Sequence, residues 1–319
     1  LQYPGKVHWN SKKKLLIISN TGGHQIWVCT PKGKIEHIIG SGKAGFRDGS
    51  FSKAQFTYPQ GVFSEGDEIF VADRGNHSIR RILLIEKRVE TIAGKGKQAQ
   101  RFHQGGKASM VALNSPWDLV KVGKYLYICM AGFHQIWRMD LEKKEIHPFL
   151  GSGVENLKDG PPKKACLAQP SAITYFDGFL YFLDSETSAL RRFPLKEKGR
   201  VETLVGKGLF IFGDQDGPKT QASLQHPLAI AASKDAIWIG DTYNSKIKLF
   251  DLKTKTLKTI AGTGKKGKKD GPFLEATFNE MGGLVFGDNK HLYVADTNNC
   301  AIRVLLLEKK KVKTLSFQK

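Results

Sequence analysis

A sixfold internal repeat constrains this chain more than any other feature. The tract at residues 69–73 returns at residues 292–296, and the same template fits the chain in six registers without gaps. We call the last residue of each tract the Asp position, and an aliphatic residue follows six residues after it, from Ile26 in the first repeat to Ile302 in the last. The six Asp positions are Asn20, Asp73, Met130, Asp184, Asp241 and Asp296, spaced by 53, 57, 54, 57 and 55 residues. The chain therefore consists of six copies of one supersecondary unit.

Each repeat contains four apolar runs, which we label strands A to D in chain order. Strand A opens at a proline in five repeats, strand B ends at the Asp position, and strand D runs towards a glycine. Four short antiparallel strands that repeat are typical of a propeller, in which each blade stacks on two neighbours. We predict an all-β, six-bladed β-propeller of four-stranded antiparallel blades. It is a single domain over residues 1–319, with blades at about 1–57, 58–113, 114–168, 169–224, 225–277 and 278–319.

The composition limits the kinds of partner and the cellular compartments that we expect. No stretch approaches the roughly 18 to 20 apolar residues needed to cross a bilayer, so no membrane span is expected. Lysine and arginine outnumber aspartate and glutamate by 50 to 30, and the resulting formal charge of +20 favours polyanionic partners. The four cysteines lack metal-ligand spacing, which favours free thiols and a cytoplasmic location. A periplasmic or luminal location is the alternative.

The repeat resembles that of the NHL family. It has the proline and apolar opening, the strand that ends in aspartate, and a following Asn-His-x-Ile-Arg at residues 76–80. Further tracts resemble members of the family in which the propeller follows a thioredoxin-like domain. They lie at residues 114–118, 130–132, 134–137, 212–214 and 225–228. This resemblance implies a propeller that docks a redox domain outside these 319 residues, with the redox cysteines on that domain.

Blade three and the following loop carry the predicted binding site. Because strands alternate in direction, the B–C turns and the D–A loops share one face, which we call the top face. Strand A lines the channel of a propeller, so Trp117 and Asp118 are expected near its top mouth. A hydrophobic plug in the channel would explain the same blade-three residues. The predicted binding residues are Trp117, Asp118, Met130, His134, Trp137, Phe210 and Phe212.

Other recurrent features have a structural interpretation. Asp-Gly recurs in four D–A loops, where it favours tight turns. The strand B aspartates are expected to accept amide hydrogens in the B–C turn. His24, His77 and His134 share one repeat position with two serines and Cys300, which favours packing in the turn over metal binding.

Lysines cluster in the C–D turns, on the face opposite the top face, which we call the bottom face. The C–D turns predict a basic rim, and one D–A loop on the top face adds a second cluster. The predicted polyanion-binding residues are Lys143, Lys144, Lys309, Lys310 and Lys311 in the turns, and Lys265, Lys266, Lys268 and Lys269 in the loop.

Three functions are compatible with these features. The leading prediction is a non-catalytic, monomeric protein-interaction scaffold whose partner is a thioredoxin-like domain. The alternative is a propeller that binds RNA or another polyanion through its basic rim. A metal-dependent lyase or lactonase comes third, because strand A offers only Lys6, His8 and Asp118 as polar exceptions, too few for a metal site. We predict no catalytic residue, no metal and no cofactor.

Overall fold

The chain folds into six antiparallel sheets that form the blades of a closed ring. The structure is a computed structural model, and it describes residues 1–102, 104–196 and 198–318. The A strands of consecutive blades contact one another around the ring, and strand A of blade six also contacts strand A of blade one. The predicted all-β, six-bladed propeller is confirmed. Within the described residues, no helix has the length and apolar character that would let it span a bilayer.

Every blade contains the four expected strands in the order A, B, C and D. Blades one to three are built from β1 Pro4–Asn10, β2 Leu15–Asn20, β3 Gln25–Cys29 and β4 Ile35–Ile39; β5 Gly49–Ser50, β6 Pro59–Glu65, β7 Glu68–Asp73, β8 Ser78–Leu83 and β9 Arg88–Gly94; β10 Gly106–Lys107, β11 Pro116–Val122, β12 Tyr125–Met130, β13 Gln135–Asp140 and β14 Glu145–Leu150. Blades four to six are built from β15 Pro170–Phe176, β16 Phe179–Asp184, β17 Ala189–Pro194 and β18 Glu202–Val205; β19 Gly217–Pro218, β20 Ala229–Ser233, β21 Ala236–Asp241, β22 Lys246–Asp251 and β23 Thr256–Ala261; β24 Gly271–Pro272, β25 Met281–Asp288, β26 His291–Asp296, β27 Ala301–Leu306 and β28 Lys311–Thr314. Five of the six B–C turns contain a short 3-10 turn, at Arg74–Asn76, Ala131–Phe133, Ser185–Thr187, Thr242–Asn244 and Thr297–Asn299.

Four blades carry a fifth, two-residue strand that the sequence did not predict. These strands are β5, β10, β19 and β24, and each pairs with strand D of the blade that follows it in the chain. The loop from one blade therefore covers the outer edge of the next blade, which leaves fewer unpaired backbone groups at that edge. Residues 49–50 fall within the predicted span of blade one but are hydrogen-bonded into the sheet of blade two.

The hydrophobic core lies between blades and not within them. Each of the six buried clusters combines side chains of two neighbouring blades. Between blades six and one, for example, Val7 and Leu16 pack with Ala295 and Ile302. A single blade would expose both faces of its sheet, so the stacking of neighbours provides most of the apolar burial.

Backbone hydrogen bonds, as well as packing, close the ring between blades six and one. The amide of Ile35 donates to the carbonyl of Gln318 at 2.9 Å, and the amide of Gln318 donates to Gly33 at 3.0 Å. The C-terminal tail thus covers the outer strand of blade one, as the D–A loops do elsewhere. At the top of the same junction, the amide of Tyr3 donates to the Sγ of Cys300 at 3.5 Å.

The histidine position of the repeat bridges neighbouring blades. The Nδ1 atoms of His24, His77 and His134 accept the amide hydrogens of Tyr58, Ser115 and Gln169, at 3.2, 2.9 and 3.3 Å. Each of these donors immediately precedes the proline that opens the next blade. The predicted packing role is therefore confirmed in three blades, and its geometry links one blade to the next.

A buried ion network stabilises blades two, four, five and six. In blade two, Asp73 accepts hydrogen bonds from the amide of Thr57 at 2.8 Å, from Asn76 at 2.8 Å and from Arg80 at 2.7 Å. Arg80 also pairs with Asp48 at 2.7 Å, and Asp48 belongs to the Asp-Gly dipeptide of the preceding loop. The backbone amide bound by Asp73 thus lies in the D–A loop and not in the B–C turn, which corrects the sequence-based expectation. Burial raises the pKa of Asp73 to about 6, and Arg80 opposes the shift.

Candidate binding site on the top face

Two of the predicted binding residues belong to the core of blade three. Met130 and Trp137 are both completely buried, so a partner cannot contact them on the folded surface, and this part of the prediction is wrong. The indole of Trp137 stacks on Phe133 with ring centroids 5.4 Å apart, and its Nε1 donates to Gln135 at 2.9 Å. Met130 and Trp137 occupy the positions of the aspartate and the arginine of the ion network in blade two. An apolar pair thus replaces a charged pair, which explains why blade three departs from the repeat.

Asp118 lies inside the channel and not at an exposed mouth. Its carboxylate is 3.4 Å from the Nζ of Lys6 and accepts amide hydrogens from Leu119 and Ile173 at 2.9 and 3.1 Å. Lys6 also donates to the carbonyl of Leu228. Burial raises the pKa of the Asp118 carboxyl and lowers that of the Lys6 ammonium, while each charge favours the ionised form of the other. The pair and its backbone partners therefore link blades one, three, four and five across the channel, and the Asp118 carboxylate already has three partners.

The channel contains a cavity of about 320 Å³ between the A strands. Lys6 and Asp118 line it together with His8, Phe63 and Tyr175. The Nδ1 of His8 accepts the amide hydrogen of Ser64 at 3.1 Å, and desolvation lowers the pKa of His8 to about 4. Within the described residues, no group of three or more His, Cys, Asp or Glu side chains is placed to hold a metal ion.

Trp117 borders a separate pocket on the top face, with a volume of about 200 Å³. The pocket lies where strands A and B–C turns of three successive blades meet. We call it the Trp117 pocket, and its walls are formed by Trp117, Ala131, Gln169, Ser171, Ser185, Glu186, His226, Leu228 and Tyr243. The carboxylate of Glu186 is 3.6 Å from the Nε2 of His226, and the ring of Tyr243 stacks on that of His226 at 4.9 Å. Among the described residues, the buried Trp117 Nε1 and His226 Nδ1 have no hydrogen-bond partner.

Sequence reasoning missed Glu186, His226 and Tyr243 as members of this pocket. The signal was present in the repeat, because Glu186 and Tyr243 both stand two residues after the Asp position. Three other blades have glycine there, so a charged or aromatic residue at this place is a local departure from the repeat. Only the stacking of blades three, four and five shows that these departures converge.

An exposed apolar surface adjoins the Trp117 pocket. Phe210, Ile211 and Phe212 are 63%, 50% and 53% exposed, and Tyr243 is 50% exposed. The ring of Phe212 lies 6.0 Å from His226, and the amide of Phe210 donates to the carbonyl of Glu186 at 3.1 Å. We call Phe210, Ile211, Phe212 and Tyr243 the apolar patch. His134 lies beside the Trp117 pocket, because its Nδ1 accepts the amide hydrogen of Gln169, a residue of the pocket wall.

The nine predicted polyanion-binding lysines are all exposed, but they are divided between two faces. Lys143 and Lys144 lie in the C–D turn of blade three, and Lys309 and Lys310 lie in that of blade six, just before Lys311 at the start of β28. Blades three and six are opposite each other in the ring. Residues 265–269 lie in the loop before blade six, where Lys266 pairs with Glu280 at 2.8 Å and Lys269 with Glu275 at 3.6 Å. The set therefore forms several small clusters and not one continuous basic surface.

The chain is similar to curated proteins over nearly its whole length, although no family-level sequence profile matches it. It is 41% identical to human NHL repeat-containing protein 2, over 99% of this chain and 48% of that protein. It is 39% identical to the Arabidopsis thaliana protein SUPPRESSOR OF QUENCHING 1, chloroplastic, over 97% of this chain and 31% of that protein. The chain spans about half the length of the human relative and about a third of the plant relative.

Solved structures share the fold at low sequence identity. A chain of a nidogen/laminin complex matches with a TM-score of 0.60 and 13% identity, over 96% of this chain and 93% of that chain. A streptogramin B lyase matches with a TM-score of 0.59 and 11% identity, over 98% of this chain and 94% of that chain. At such identities the likeness shows the fold alone.

The six-bladed ring with its repeated strand tract is a β-propeller. The chain is similar to NHL repeat-containing protein 2 over nearly all of its residues. The family resemblance expected from the sequence is confirmed.

Proposed function

We propose that this propeller is a non-catalytic docking platform whose top face binds a thioredoxin-like domain. The observation that carries the proposal is the apolar patch, which exposes three aromatic rings and Ile211 next to a pocket. A contiguous exposed apolar surface with a polar surround is typical of a protein-binding site. The family resemblance supplies the kind of partner, and the greater length of the curated relatives leaves room for such a domain.

The channel supports the non-catalytic part of the proposal. Its acidic group, Asp118, is paired with Lys6 and bound by two backbone amides, so it has little remaining capacity to bind substrate. Met130 and Trp137 fill blade three as core residues. A lyase or lactonase mechanism would instead need several free polar groups that converge on one reacting centre.

Binding of a thioredoxin-like domain from the family, measured by titration calorimetry, tests this function. We expect the double variant Phe210→Ser/Phe212→Ser to weaken binding at least tenfold, because large aromatic side chains dominate protein interfaces. Its melting temperature should change little, because both side chains are largely exposed. The control is Ile85→Ser, since Ile85 is 72% exposed in a C–D turn on the bottom face. Equal binding by the double variant and the wild type would contradict the proposal.

Polyanion binding is the second candidate, favoured by the net charge of +20 and by the exposed lysines. Fluorescence anisotropy with a labelled single-stranded RNA, at low and physiological salt, separates the two functions. A basic surface without base recognition loses its affinity as salt screens the phosphates. RNA binding that persists at physiological salt and depends on the RNA sequence would favour RNA binding over protein docking as the function. Loss of RNA binding at physiological salt would favour the docking platform.

A further inference from the structure

We propose that the Trp117 pocket binds the cationic side chain of a lysine or arginine on the docked protein. The inference rests on the proposed function, because it identifies the chemistry of one contact within the same top face. The proposed cation site is formed by the pocket alone, so cation binding can be tested without the partner domain.

The charge of the pocket favours a cation. Glu186 is the only Asp, Glu, Lys or Arg among the lining residues, although the chain as a whole carries a charge of +20. Its side chain is 25% exposed, and it is therefore partly desolvated yet open to a ligand. A carboxylate in such a position attracts a cation more strongly than one on the open surface, because water screens the charge less.

The aromatic walls of the pocket also favour a cation. Trp117 and Tyr243 line the pocket with His226, and an aromatic face attracts ammonium and guanidinium groups through its quadrupole. The protein already uses this property of Trp117, since the guanidinium of Arg74 lies 4.8 Å from the centre of its ring. Arg74 itself is not among the residues that line the pocket.

The size and the surroundings of the pocket favour a side chain of a protein. A volume of about 200 Å³ suits one extended side chain, with its apolar stem against Leu228 and the rings and its charged end near Glu186. The adjacent apolar patch would hold the surrounding surface of the same partner, as expected for an interface with a charged anchor beside aromatic contacts. A free amine in solution lacks this second contact.

The indole N–H signal of Trp117 provides a direct assay with the intact chain. The protein has five tryptophans, so a two-dimensional nitrogen–proton spectrum contains five indole signals, and Trp117→Phe assigns the relevant one. We expect N-acetyl-lysine methylamide and N-acetyl-arginine methylamide to shift this signal saturably. N-acetyl-norleucine methylamide, which keeps an apolar stem but has no charge, should leave it almost unchanged.

Two matched variants test the role of the carboxylate. Glu186→Gln should weaken the affinity for N-acetyl-lysine methylamide, measured from the Trp117 indole signal, at least fivefold. The change removes the partly buried charge but keeps the shape of the side chain. Glu155→Gln is the control, since Glu155 is another top-face glutamate that lies 4.0 Å from His134 and does not line the pocket. An equal shift with norleucine, no shift with any of these compounds, or no difference between Glu186→Gln and the control would overturn the inference.

Titration of the same variants with the thioredoxin-like domain separates this inference from the proposed function. We expect Glu186→Gln to weaken domain binding and Glu155→Gln to leave it unchanged. If the domain binds both variants equally, the cationic anchor is wrong while the docking platform stands. If the domain does not bind at all but N-acetyl-lysine methylamide still shifts the indole signal of Trp117, the cation site is supported and the proposed partner is wrong.

Discussion

The buried ion network of blade two permits a quantitative test of what holds a blade together. Arg80 is completely buried, and its guanidinium donates to Asp73, to Asp48 and to the carbonyls of Gln55 and Arg47, at 2.7 to 2.9 Å. The change Arg80→Met keeps much of the apolar stem but removes all four hydrogen bonds. It also leaves the Asp73 carboxylate buried without its cationic partner.

The expected cost follows from these contacts. Breaking a buried ion pair by removing one partner costs about 3 to 5 kcal/mol, because the remaining charge is uncompensated. For a chain of this length, such a loss lowers the melting temperature by roughly 5 to 8 °C. Asp73 retains the amide of Thr57 and the side chain of Asn76, which limits the loss to this range.

Urea unfolding followed by circular dichroism measures the change in free energy. The control is Arg81→Met, because Arg81 is the next residue of the same strand and forms its ion pairs with Glu68 and Glu90 at the surface. We expect the control to cost less than about 1 kcal/mol. A loss below about 1 kcal/mol for Arg80→Met, or equal losses for the two variants, would refute the proposed role of the network.

Three further predictions concern the core, the channel and the thiols. Ile136→Ala should lower the free energy of unfolding by about 2 to 5 kcal/mol, because Ile136 is fully buried; a negligible change in urea unfolding would contradict its place in the core. Because the pKa of His8 in the fold is about 4, the unfolded chain binds a proton first as the pH falls below about 6.5, and stability is lost between these values. His8→Asn keeps an acceptor for the Ser64 amide but does not titrate in this range. As the pH falls from 7 to 4.5, its free energy of unfolding in urea should therefore rise by about 1 to 3 kcal/mol relative to that of the wild type. The same pH dependence in both proteins would argue against the lowered pKa of His8. Cys300 is exposed and the other three cysteines are buried, so a thiol reagent should label one thiol quickly and three only after unfolding; rapid labelling of Cys29, whose pKa burial raises to about 12, would contradict the structure.

Local sequence signals were sufficient for the architecture. The repeat spacing, the prolines before strand A and the glycines after strand D indicated six blades of four strands, because these signals depend on short-range turn geometry and on alternating burial. The role of the histidine position was also predictable, since serine and cysteine replace histidine there without any metal-ligand pattern. The short strands β5, β10, β19 and β24 were not predictable, because each pairs with a strand D about 40 residues further along the chain.

The candidate site depended on tertiary structure to a much greater degree. The sequence identified blade three as unusual, but the same departure from the repeat fitted either a binding surface or a hydrophobic plug in the channel. Only packing showed that Met130 and Trp137 replace a charged pair inside the blade, while Trp117 remains beside a pocket. Glu186 and Tyr243 joined that pocket because blades three, four and five stack on one another. The sequence by itself thus determined the number and kind of blades, which follow from local periodicity, whereas the stacking of blades decided which departures from the repeat reach a common surface.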